Sequence, residues 1–76
     1  MSEIKNEQRQ RIGERLKEIR TEQGWSREQV ALMAGVTERT VDKVEQGAFN
    51  VPLDVLVILS DVLGYELRIG RKEAGV

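Results

Sequence analysis

Apolar residues recur at helical spacing along most of the chain, then switch to strict alternation near its C-terminal end. Ile12, Leu16 and Ile19 form one stripe, and Arg11, Glu14, Arg15, Lys17, Glu18 and Glu22 between them form a solvated face. This predicts a first helix from a cap at Asn6 to about Gln23, with residues 1–5 frayed and Gly24 as the stop. Val30, Ala31 and Ala34 predict a second helix over 27–34. Val41 and Val44 predict a third over 38–46, ended by Gly47. Pro52 suits the opening of a fourth, over 53–63, because a first helical turn needs no N–H there. In that fourth segment only Asp54, Ser60 and Asp61 are polar. A helix apolar nearly all round is buried on more than one side. Either the chain's own core uses all of it, or a spare face carrying Val55, Ile58 and Val62 is a dimer surface.

Tyr65-Glu66-Leu67-Arg68-Ile69 alternates apolar and polar with period two, the pattern of a strand. A lone strand leaves its backbone groups unpaired. The simplest partner is the same strand of a second copy, antiparallel about a twofold axis, with Tyr65, Leu67 and Ile69 on the shared face. A disordered tail is the alternative. The expected organisation is a flexible tail over 1–6, a helical domain over 7–64, a dimerising strand over 65–70 and a flexible tail over 71–76.

The sharpest local signals lie in residues 26–46. Ser26 and Thr37, eleven residues apart, each have a side-chain oxygen that can accept from the free N–H groups of a first helical turn. Gln29, three residues after Ser26, completes a capping box. Trp25 with Val30 and Val36 with Val41 both have the spacing of a hydrophobic staple. Gly35 sits between the two helices, where a left-handed backbone costs little. Two short helices joined by a sharp turn are the helix-turn-helix signature; a helical hairpin without a ligand is the plainer alternative.

Composition narrows the chemistry. Among 76 residues there is no Cys and no His. Disulfides, thiolate chemistry, the usual zinc sites and His-based acid–base catalysis are thereby excluded or made implausible. The carboxylates are scattered on solvated helical faces with no nucleophile–base pair, so no enzyme, metal, cofactor or small-molecule ligand is expected. The N-terminus has no apolar run of a secretory signal, and no stretch is long enough to span a membrane. A cytoplasmic, nucleoid-associated protein of bacterial or phage origin is expected. Twelve Lys and Arg against thirteen Asp and Glu give a net charge of −1. That balance argues mildly against nucleic acid, whose dedicated binders often carry a basic excess. At physiological salt the Debye length is about 8 Å, so the location of the cations matters more than their sum.

A set of residues stands in the register of a known family. It comprises Ile12, Leu16 and Ile19-Arg20; Gly24-Trp25-Ser26 and Val30-Ala31; Gly35-Val36-Thr37 and Thr40-Val41; Val44-Glu45-Gln46-Gly47; and Asn50, Leu53, Leu56 and Leu63-Gly64. On these, residues 12–64 resemble, without a gap, the helix-turn-helix domain of the lambda-type repressor and Cro family, also called the xenobiotic-response-element (XRE) type. The resemblance implies an all-α, compact four- to five-helix bundle, here with a short C-terminal β-strand, whose third helix enters the major groove of double-stranded DNA. It implies base contacts from Glu38, Arg39 and Lys43, and hydroxyl contacts to base edges or phosphate from Thr37 and Thr40. Arg27 falls where a Gln that touches the DNA backbone is common, and an Arg there could pair directly with phosphate. Arg20 and Glu45 match a pair that links the first helix to the third. The end of the fourth helix with residues 65–69 also resembles antitoxins that neutralise a kinase-like toxin and pair an equivalent strand between protomers.

Chemistry read from the residues agrees in part. On a helix starting at Glu38, positions 38, 39, 42, 43 and 46 point away from Val41 and Val44. Arg39 can bond guanine O6 and N7 together, Lys43 can do similar work or take phosphate, and Glu38 can accept from cytosine N4. Glu38 could instead pair with Arg39, or Asp42 with Lys43, leaving a near-neutral face; Gln46 completes it. The N–H groups after Ser26 offer a phosphate site, and Asn50 a further backbone contact. Three readings follow: a homodimeric repressor on a palindromic operator, an antitoxin with a toxin partner, and an interaction module that has lost DNA binding.

Overall fold

The computed structural model describes residues 3–48 and 51–71, with side chains from residue 7 onward. Its helices are α1 (Glu3–Glu22), α2 (Arg27–Ala34), α3 (Glu38–Glu45) and α4 (Leu53–Val62). The fold is all-α, as the periodicity predicts. Among the described residues no helix is long and apolar enough to cross a membrane.

One expectation about the N-terminal end is corrected. The first helix begins at Glu3, so Asn6 lies inside it instead of capping it. Residues 65–70 form no strand. Alternation supplies side chains for a strand, but pairing needs a second backbone, which in the expected arrangement comes from a second copy. Asn50 and residues 72–76 lie outside the described residues.

The caps form as their spacing predicts. The Ser26 hydroxyl accepts from the Gln29 N–H at 3.0 Å, and the Gln29 side chain accepts from the Ser26 N–H at 2.8 Å. Thr37 accepts from the Thr40 N–H at 3.1 Å. Between them Gly35 adopts φ 73° and ψ 29°, a left-handed conformation nearly free only for glycine. That turn lets the Val36 N–H reach back to the Ala31 carbonyl at 3.0 Å. The same closure ends the other three helices, through the N–H groups of Trp25, Ala48 and Tyr65.

The core is drawn from every helix: Leu16 and Ile19, Val30, Ala31 and Ala34, Val41 and Val44, and Leu59 with Leu63 just beyond α4. Trp25 and Val36, the outer staple members, pack against it. Helix α3 rests on both α1 and α2, and α4 packs on α2. Ile12, grouped by periodicity with Leu16 and Ile19, is instead 45% exposed. Val55 and Val62, expected on a dimer face, pack against the core. The outward apolar edge of α4 is Leu53, Val57 and Ile58. The helix is shared between the core and solvent, and the phase of sharing follows from where α2 lies.

Candidate nucleic-acid interface

Helix α3 is fixed from behind by a buried ion pair. Arg20 of α1 donates to both carboxylate oxygens of Glu45, through Nε at 2.6 Å and Nη2 at 3.0 Å, and its Nη1 donates to the Trp25 carbonyl at 2.8 Å. A planar guanidinium held at three points leaves little freedom in the angle between α1 and α3. Gly13 sets their separation. A Cβ there would collide with the Val44 carbonyl and lie 2.7 Å from that of Glu45.

With Val41, Val44 and Glu45 turned inward, Arg39, Lys43 and Gln46 are exposed on the opposite side, and Glu38 is exposed at the helix start. Among the described residues neither Arg39 nor Lys43 has an ion partner. Asp42 does not pair with Lys43. It takes Arg27 of α2 at 2.7 Å, and its second oxygen accepts from Gln46 at 3.1 Å. Arg27 is therefore drawn onto the α3 face. The surface then carries three cations, Arg27, Arg39 and Lys43, against two carboxylates, Glu38 and Asp42.

The hydroxyl sites are partly engaged. Thr37 caps α3 and shares a 2.8 Å hydroxyl–hydroxyl bond with Thr40. The Ser26 oxygen is used by its capping box, and the side chain stands exposed at the start of α2. Ser26, Arg27, Thr37, Glu38, Arg39, Thr40, Lys43 and Gln46 thus all belong to the two helix starts and the outward side of α3.

Tyr65 and Leu67 line a groove of about 320 Å³ with Ile12, Leu16, Ile19 and Leu56, rimmed by Arg11, Arg15 and Arg68. Ile58 and Ile69 are exposed, Ile69 completely.

Periodicity missed one residue and one contact that shape this face. Gly13 carries a legible signal, since a glycine inside a helical pattern costs about 1 kcal/mol against Ala and so points to a packing need. The Arg27–Asp42 contact joins residues fifteen apart, and no local spacing marks it.

The family model described as helix-turn-helix matches residues 16–69. A relative in Methanosarcina acetivorans, whose name assigns it as an HTH-type transcriptional regulatory protein, is 40% identical over 55 residues, covering 72% of this chain and 17% of its own length. A similarly named Pyrococcus furiosus protein is 38% identical over 50 residues, covering 66% of this chain and 16% of its own. The uncharacterized SPbeta prophage-derived HTH-type transcriptional regulator YonR of Bacillus subtilis is 40% identical over 53 residues, covering 70% of this chain and 49% of its own. The chain thus spans less than a fifth of the archaeal relatives and about half of YonR. It belongs to the helix-turn-helix family of the XRE type, a family of DNA-binding domains and not of enzymes.

Proposed function

We propose that the chain is a transcriptional repressor that reads DNA sequence by laying α3 in the major groove. The observation that carries this is the unpartnered pair Arg39 and Lys43 on the outward side of a helix held by Arg20–Glu45. Arg39 supplies base readout and Lys43 phosphate attraction. Glu38 favours an amino donor such as cytosine N4 and disfavours a carbonyl. Repression follows from occupying a promoter.

Selection of duplexes from a random pool, followed by mobility shift at physiological salt, tests the reading; recovery of no preferred sequence sinks it. Against the selected duplex, Arg39→Ala is expected to cost about 1–3 kcal/mol and to relax the preference at one base pair. Lys43→Ala should weaken binding to all sequences alike and lower the salt slope by about 1.

The operator is proposed to be palindromic and the protein a homodimer, with recognition helices about 34 Å apart. Support comes from the exposed apolar side chains of Ile58, Tyr65, Leu67 and Ile69, which a second copy would cover. Solution mass measured with and without residues 65–76 decides this. A monomer in both, at concentrations that saturate DNA, rules the dimer out.

A further inference from the structure

The Arg27–Asp42 pair sits where its charges matter for DNA. Asp42 lies on the outward side of α3, with one carboxylate oxygen on Arg27 Nη1 and the other on Gln46 Nε2. Arg27 opens α2, and with Asp42, Glu38 and Arg39 it lines a shallow notch of about 230 Å³. The two side chains are 41% and 38% exposed. At that exposure Arg27 stands within reach of a phosphate once its counter-ion is removed. A carboxylate 2.7 Å from the guanidinium offsets part of the attraction Arg27 would exert on a phosphate, because the opposite charge lies close beside it. Sequence-independent DNA affinity comes almost wholly from phosphate contacts, each of which releases counterions.

We propose that Asp42 is an internal counter-ion that masks Arg27 and so holds down the protein's affinity for DNA of any sequence. This rests on the DNA-binding reading above and adds a role for a carboxylate that reading leaves unexplained. The low net charge of the face is then a functional setting. Arg39 and Lys43 remain free to engage the duplex, while a third cation is kept from adding affinity that carries no sequence information.

The test uses the full chain and a labelled random-sequence duplex, titrated by fluorescence anisotropy over roughly 50–200 mM salt. Asp42→Ala removes both acceptors and places a stronger helix former inside α3, so folding is not at risk. It is expected to bind roughly tenfold more tightly at about 0.1 M salt, with a log–log salt slope steeper by about 0.9, the value of one added phosphate contact. Asp42→Asn, which keeps the shape and drops the charge, should move the slope in the same direction. In an Arg27→Gln background, Asp42→Ala should leave the slope unchanged. Equal slopes for the wild type and Asp42→Ala overturn the masking and leave DNA binding standing. Equal tightening in the Arg27→Gln background also overturns it, because Asp42 would then act only by repelling phosphates itself. Failure of the wild type and both Asp42 variants to bind any duplex overturns the masking together with the DNA-binding reading.

Discussion

Replacing Glu45 with alanine is expected to remove about 3–5 kcal/mol of stability, the cost of leaving one partner of a buried ion pair uncompensated. The Arg20 and Glu45 side chains are only 9% and 6% exposed. Without the carboxylate, Arg20 keeps its bond to the Trp25 carbonyl and loses the acceptors of Nε and Nη2. At about 0.05–0.15 kcal/mol per residue, a chain of this length has roughly 4–11 kcal/mol in total. The loss is a large share of that total, seen as a large drop in the urea midpoint by circular dichroism. Arg20→Met combined with Glu45→Leu separates charge from packing. Apolar replacement of a buried pair is often neutral or stabilising, so the double variant should recover most of the loss. A single-variant cost below about 1 kcal/mol would mean that solvent reaches Arg20 freely, and the account of how α3 is held would fail.

Gly13→Val is expected to cost about 3 kcal/mol, at the upper end of overpacking effects. The obstacle is backbone, namely the carbonyls of Val44 and Glu45 in the last turn of α3. A side chain in that place could rotate aside, whereas a carbonyl moves only with its helix. Gly13→Ala should cost less, because alanine regains up to about 1 kcal/mol of helix propensity while meeting the same carbonyls. Both variants push α3 from its seat, so DNA affinity should fall by more than the loss of folded protein explains. Urea titration and anisotropy on the same samples separate the two effects. A Val variant as stable as the wild type would show that α1 and α3 are not in backbone contact at this point.

Much of the helix-turn-helix was legible because its signals are local. A cap, its reciprocal Gln29, the staple residues and a left-handed glycine all act within one turn of chain, where spacing in sequence equals spacing in space. The outward side of α3 followed for the same reason: once Val41 and Val44 face inward, helical geometry assigns the opposite side to Arg39 and Lys43. The Arg20–Glu45 contact came from family resemblance and not from spacing, since nothing local connects residues twenty-five apart.

Where the reading departed from the structure, the deciding neighbour was distant in sequence. Ile12 has the periodicity of a core residue, yet the bundle reaches only Leu16 and Ile19 on that stripe. Helix α4 is apolar nearly all round, and packing left Val55 and Val62 half-buried against the core while Leu53, Val57 and Ile58 stay exposed. Residues 65–69 have the alternation of a strand, and a strand there depends on a second backbone to pair with.

The amino-acid order by itself determined the helices, the turn between α2 and α3, and which side chains α3 turns outward. All of these depend on torsions and hydrogen bonds closed within a few residues. Only the tertiary arrangement decided that Asp42 takes Arg27 rather than Lys43, how near α1 comes to α3, and which edge of α4 stays bare. Those outcomes depend on which surfaces meet, and long-range contact is a property of the assembled chain.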